Sequence, residues 1–253
     1  MSATKSERAR SFEGVAAEYE RGRPGYAPEA IEWLLGPRPL VVVDVGAGTG
    51  KLTRALLDAG HEVTAVEPLA GMRSLLAASS PQATVTAGAA EELPIADSYA
   101  DAIVAGAAFH WFDAARALAE FERVLRPGGT VGLLGNSFDV TVPWVARLRA
   151  VLGPPATDRP GHWPEIDELR GRFASVEDGT FAHTQETDLA ALRDLALSRS
   201  GIAVLAPDER EVELARIGEL WRQDPELAGR SSVMLPWLTR VRRCAGLLPA
   251  QRS

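Results

Sequence analysis

Apolar residues along this chain fall into short β-branched runs separated by stretches with helical spacing. The clearest run is Val41-Val42-Val43-Asp44-Val45, which reads as a strand buried on both faces. Glycines follow at the alternate positions 46, 48 and 50, and Lys51 to Ala59 then reads as a helix with Gly60 just past its end. His61–Glu67, stopped by Pro68, Ala83–Ala87, Ala100–Ala105 and Thr130–Leu134 predict four further strands, with Leu40–Val45 as the first.

Helices fill the intervals. Pro28 opens one through Leu35, with Pro at the first helical position and Gly36 after the end. Gly71–Ala78 is another. Asp113 can cap a third through Leu125, where Leu118, Phe121 and Leu125 share a face. Such alternation with short connections predicts an α/β fold with a doubly wound, mostly parallel sheet. Right-handed crossovers place the carboxyl ends of strands one, two and four around one crevice.

Beyond residue 135 the pattern changes. Val142–Leu152, Pro164–Arg172, Leu189–Leu197 and Asp208–Trp221 read as helices, and Thr180–Thr184 and Ser232–Arg240 as strands. These complete a seven-stranded sheet with helical insertions. Ser2–Tyr19 reads as a partly helical lead-in, and Arg21–Tyr26 as a turn. The divisions are an N-terminal arm (1–36), a ligand-binding core (37–135) and a sheet completion with a helical lid (136–253), all in one domain.

Composition narrows the function. The 253 residues carry a net charge of −7, against the basic face that a nucleic-acid partner usually needs. No apolar run reaches the roughly 18 residues of a membrane span, and the polar Met1–Gly14 is no signal peptide. One cysteine, Cys244, excludes a disulfide framework, and the histidine spacing suggests no metal site. A cytoplasmic protein without membrane or nucleic-acid partners, monomeric or homodimeric, is the expectation.

Strand, glycine turn and helix together make a place where backbone N–H groups meet a ligand. A dinucleotide fingerprint needs Gly-x-Gly-x-x-Gly, but the third glycine here is Gly50 and position 51 is Lys. The P-loop spacing fails too, since Leu52 follows Lys51. Glu67, at the end of strand two, can accept both hydroxyls of a ribose.

Asp44-x-Gly46-x-Gly48-x-Gly50 with an acidic end to strand two resembles the class I S-adenosylmethionine-dependent methyltransferases. Gly88-Ala89-Ala90-Glu91-Glu92-Leu93-Pro94 and Leu125-Arg126-Pro127-Gly128-Gly129-Thr130 are similar to segments of their type-11 group. The opening Phe12…Val15-Ala16…Tyr19…Arg23-Pro24-Gly25-Tyr26 resembles that of small-molecule enzymes related to trans-aconitate methyltransferase.

The resemblance implies a Rossmann-like methyltransferase fold and the cofactor S-adenosylmethionine. It implies backbone contacts from Gly46, Ala47 and Gly48 to the methionine part, tight packing at Gly50, and Asp44 near the amino group. Glu67 would take the ribose, and Pro68 and Met72 would flank the adenine. Ala89, Ala90 and Glu91 would meet the adenine edge, where many relatives carry Asp at the position of Ala89. Arg23 would pair with the cofactor carboxylate, while Tyr19 closes the site and Ala107 gives a backbone contact.

Gly106–Asp113 follows strand four at the crevice. Phe109, His110 and Trp111 are candidates for a substrate pocket with Tyr26, and His110 is the candidate general base. Ser198 and Arg199 lie in a Ser-Arg-Ser run similar to one in relatives and are candidate lid residues. The expected function is methyl transfer to a small molecule, at a carboxylate or hydroxyl oxygen. The alternative is an S-adenosylmethionine-binding protein without methylating activity, in a regulatory or scaffold role.

Overall fold

The computed structural model describes residues 14–153, 163 and 169–248. The arm contains α1 (Ala16–Gly22) and α2 (Pro28–Leu35). The core then alternates β1 (Val41–Val45), α3 (Lys51–Asp58), β2 (Glu62–Val66), α4 (Ala70–Ser79) and β3 (Thr84–Thr86). It continues through β4 (Ala100–Gly106), a 3₁₀ turn (Phe109–Trp111), α5 (Ala114–Val124) and β5 (Leu125–Phe138).

The C-terminal part holds α6 (Pro143–Leu152), β6 (Phe173–Thr187), α7 (Leu189–Leu197), α8 (Ser200–Ala203), α9 (Pro207–Gln223) and β7 (Val233–Leu247). Most of the expected helix 164–172, together with Phe12 and the other residues before 14, lies outside the described residues.

Among the described residues, seven strands form one sheet in the order β3-β2-β1-β4-β5-β7-β6. The first five pair in parallel, while β7 runs antiparallel between β5 and β6. The order reverses between β1 and β4, so the crevice opens at their carboxyl ends.

Alternate residues of β1 and β4 feed two cores. Val43, Val45 and Ile103 pack with Leu118 and Phe121 of α5. Val42, Ala102 and Val104 pack with Ile31 and Leu34 of α2 and Leu52 and Leu56 of α3. With both faces covered, these strands have no polar side to show, which explains their continuous apolar runs. A third cluster joins Phe138, Leu235 and Trp237 to Trp144, Leu192, Leu195, Ile217 and Trp221, seating the lid helices on the far end of the sheet.

The last strands are longer than the sequence pattern predicts. Thr180–Thr184 lies within β6, and Ser232–Arg240 covers only part of β7. Charged residues broke the apolar pattern: Arg242 and Arg243 pair across the ladder with Asp178 and Glu177, both at 2.8 Å. β5 is longer as well. Its register with β4 jumps from Ala100↔Leu125 to Ala102↔Thr130, so Arg126–Gly129 bulges out between two paired segments.

Candidate active site

The glycine turn is fastened to the end of β2. Gly46 and Ala47 both donate their N–H to the Val66 carbonyl, at 2.8 and 3.2 Å. Gly48 donates to Glu67 Oε2 at 2.8 Å, and Leu69 donates to Glu67 Oε1 at 2.9 Å. One carboxylate thus holds the turn and the loop after β2 together. Burial pushes its acid up, while the two backbone bonds and Arg73 oppose that shift. An ionised carboxylate offers about four acceptor positions, so two remain for hydroxyl donors.

Gly50 has φ +91°, and a Cβ there would lie 2.5 Å from Leu76 Cδ1. It lets α3 start against α4. Gly48, at φ +59°, has no atom within 4 Å of the place a Cβ would take. The turn therefore presents open backbone at Gly48 and closed packing at Gly50.

Asp44 is fully buried at the end of β1. Thr53, on the buried face of α3, donates its hydroxyl to Oδ2 at 2.7 Å. The other oxygen, Oδ1, is buried with no hydrogen-bond partner among the described residues. Burial pushes the Asp44 acid up to about 7, Thr53 pulls it down, and the charge of Glu67 adds to the rise. Sequence reasoning missed Thr53; its signal was a polar residue among the apolar positions of α3.

Along the expected adenine side, Pro68 is exposed, and Arg73 donates to the carbonyls of Glu67 and Pro68 at 3.0 and 2.8 Å. Met72 and Ala90 are buried, while Ala89 is exposed. Glu91 Oε1 accepts from the Asp113 N–H at 2.7 Å, which ties that loop to the start of α5.

At the end of β4 the chain turns sharply. Ala107 has φ +53°, a strained value for a residue with a Cβ, and donates to the Leu134 carbonyl at 2.7 Å. The turn sends Phe109–Trp111 away from the strand. Phe109 belongs to the core rather than to a pocket wall: it is buried, and its ring meets Phe112 and Phe121 edge-on at 5.6 and 6.4 Å. An aromatic beside a turn satisfied the sequence pattern equally well in either role. His110 and Trp111 stay half-buried, their ring centroids 4.5 Å apart.

The arm closes over this end of the sheet. Asn136 Nδ2 donates to the Gly25 carbonyl at 2.8 Å, and the Ala27 N–H donates to Thr239 Oγ1 at 3.2 Å. The Tyr26 hydroxyl rests on Gly106, 2.5 Å from where a Cβ would sit, and burial pushes its acid well up. Burial also raises the Tyr19 acid, and Tyr19 feels the charges of Arg23, Glu67, Glu20 and Asp44. Tyr19 therefore stands near the two buried carboxylates, with Arg23 beside it.

On the lid side, Arg23 bonds Ser198, and Arg199 Nη2 donates to the Gly153 carbonyl at 2.9 Å. Among the described residues, no group of three or more His, Cys, Asp or Glu is arranged to hold a metal ion. Among those residues, no helix is long and apolar enough to cross a membrane.

Residues 43–133 match the family described as Methyltransferase domain. An uncharacterised methyltransferase of Mycobacterium tuberculosis (strain ATCC 25618 / H37Rv) is 38% identical over 242 residues, covering 94% of this chain and 97% of that one. A malonyl-[acyl-carrier protein] O-methyltransferase of Methylococcus capsulatus is 41% identical over 101 residues, 38% of this chain and 37% of its own. Among solved structures, a methyltransferase from an antibiotic biosynthesis pathway of Anabaena variabilis shares 26% identity at a TM-score of 0.59. That likeness covers 85% of this chain and 95% of the other.

The chain is an enzyme of the methyltransferase family, with the Rossmann-like fold of its relatives. S-adenosylmethionine is the cofactor this family implies, and the residues present fit it. A buried carboxylate oxygen without a donor, Asp44 Oδ1, suits an ammonium group. Glu67 keeps acceptor capacity for a diol. The backbone at Gly48, bonded to Glu67, has open space beside it.

Proposed function

We propose that this enzyme transfers the methyl group of S-adenosylmethionine to an oxygen of a small molecule, a carboxylate or a hydroxyl. The observation that carries the cofactor half is the pair of buried carboxylates, Asp44 with one oxygen unbonded and Glu67 with both oxygens on backbone donors. The acceptor half rests on the contact between arm and lid. The arm and the lid helices meet through Arg21 and Asp194 at 2.7 Å, an arrangement that suits a small acceptor better than a polymer.

The arm's resemblance to the trans-aconitate methyltransferase group and the O-methyltransferase among the relatives support oxygen as the atom methylated. We place the reaction in the cytoplasm, with the protein acting as a monomer or homodimer.

The bound cofactor would supply an activated methyl group on a sulfonium, with a neutral thioether as the leaving group. The chain's own work is orientation and exclusion of water. Asp44 would hold the amino group and Glu67 the ribose, which fixes the direction along which the acceptor must approach. Gly46, Ala47 and Gly48 supply backbone beneath the amino-acid part, and Ala107 supplies it at the end of β4. Tyr26, seated on Gly106, and Trp111 and His110 would line the approach of the acceptor and keep water away. A carboxylate acceptor arrives ionised; a hydroxyl acceptor needs His110 as its base.

Two measurements test this reading. Calorimetry should show S-adenosylmethionine and S-adenosylhomocysteine binding, with Glu67→Ala weakening both by about 1–3 kcal/mol through lost charge-assisted hydrogen bonds. Binding of NAD but of neither adenosyl compound would overturn the cofactor assignment. Labelled cofactor incubated with a metabolite extract should yield a methylated small molecule. Cofactor binding without any labelled product would favour the non-catalytic alternative.

A further inference from the structure

Arg23 stands beside Tyr19 and Tyr26, the two tyrosines that feel the charge of Asp44, and it bonds to neither buried carboxylate. Its Nε donates to Ser198 Oγ at 2.8 Å and its Nη2 to the Ser198 carbonyl at 3.0 Å. Among the described residues these are its hydrogen-bond acceptors, and both belong to a neutral residue. The Tyr19 ring lies beside it, with the guanidinium carbon 5.3 Å from the centroid. Burial lowers its basicity, and the groups that oppose this are the two tyrosines. A guanidinium has five N–H donors in a rigid fork, so the Nη1 group and one hydrogen of Nη2 remain for an anion.

Ser198 is itself fixed. It is fully buried, caps the end of α7, and passes its own proton to the Leu195 carbonyl at 2.7 Å. Its hydroxyl oxygen is thereby turned to accept from Arg23. The surrounding contact is equally close: a Cβ at Gly22 would lie 2.2 Å from the Leu195 nitrogen. Arg21 also grips Asp194 with two bonds, at 2.7 and 3.0 Å. The guanidinium is therefore held by the lid and not by the sheet.

We infer that Ser198 is a positioning residue that sets the Arg23 fork to receive the carboxylate of the cofactor's amino-acid group, so that the lid completes this subsite. The inference rests on the proposed cofactor reading. It adds a division of the subsite: Asp44 receives the ammonium from the strand side, and Arg23, aimed by Ser198, receives the carboxylate from the lid side. A zwitterionic head then bridges sheet and lid. Capping α7 would require only part of the fork. The unspent donors, beside the two tyrosines that feel the charge of Asp44, are what a carboxylate ligand uses.

The test compares two ligands by calorimetry: S-adenosylmethionine and its decarboxylated analogue, which keeps the sulfonium and the amine. Ser198→Ala should weaken S-adenosylmethionine about fivefold to tenfold and leave the analogue within twofold. Arg23→Gln should abolish the preference for the carboxylated ligand, and Arg23→Lys, which keeps the charge without the fork, should keep part of it. Equal weakening of both ligands by Ser198→Ala would make Ser198 merely structural and overturn the inference, as would no change in either. If Ser198→Ala does not fold, Ser198→Cys, similar in volume but a weak acceptor, carries the same comparison. Wild-type protein that binds neither ligand would overturn the cofactor reading itself, which is a different failure.

Discussion

Thr53 and Asp44 meet behind the glycine turn, where the threonine hydroxyl donates to one carboxylate oxygen at 2.7 Å and the other is buried with no partner among the described residues. The helix after the turn thus braces the carboxylate that ends the first strand. One hydrogen bond does not offset the cost of burying a charge, so the acid rises to about 7. Asp44 is held ready for a cation that none of the described residues provides.

A pH dependence follows from that residue. An unfolded aspartate titrates near 3.9. The folded acid at about 7 holds its proton more tightly, so the stability it contributes is full below about pH 4 and is lost as pH rises to about 7. Ligand binding runs the other way, because an ammonium beside Asp44 favours the ionised form. Affinity for S-adenosylhomocysteine should rise by up to tenfold per pH unit between pH 6 and 7, then level off. Calorimetry in two buffers of different ionisation enthalpy should show proton release at pH 6.5. Asp44→Asn should remove both the release and the slope; a wild-type profile that is flat would detach Asp44 from the ligand.

The two inner positions of the glycine turn should respond differently to the same change. Gly50→Ala forces a Cβ to within 2.5 Å of Leu76 at φ +91°, which combines left-handed strain with overpacking and should cost about 2–4 kcal/mol of stability. Gly48→Ala meets no atom within 4 Å and should cost about 1 kcal/mol from φ alone. Its Cβ fills the space kept open for the ligand, so cofactor affinity should drop at least tenfold. Thermal unfolding paired with calorimetry separates the two variants. Equal stability losses, with cofactor affinity intact in Gly48→Ala, would contradict this division of labour.

These differences explain what could be read from the chain beforehand. The glycine turn, Glu67 and the strand alternation lie within short stretches, where spacing and period determine local geometry. The Asp44–Thr53 bond was hidden because one threonine on a helix carries no period of its own. The Arg23–Ser198 contact joins residues 175 positions apart, a separation no local pattern spans. β6 and β7 were read short because their salt-bridged positions look like solvated loop. Phe109 looked like a pocket wall because core and pocket select the same side chain, and only its contacts with Phe112 and Phe121 decide between them.

The role of His110 depends on the acceptor and can be settled by kinetics. The residue sits in the 3₁₀ turn after β4, half-buried against Trp111, at the end of the sheet where the crevice opens. Displacement at a methyl group needs an electron pair on the acceptor. A carboxylate already has one at neutral pH, and then the imidazole serves shape and hydrogen bonding. On a carboxylate acceptor found by the labelled-cofactor screen, His110→Asn should raise KM while keeping kcat within about threefold, the mark of lost uniform binding. A hydroxyl acceptor must lose its proton as the new bond forms, and the same variant should then lower kcat by about 10²–10⁴-fold. A kcat that falls this far on a carboxylate acceptor would show that proton transfer is part of the chemistry and that the acceptor atom has been misassigned.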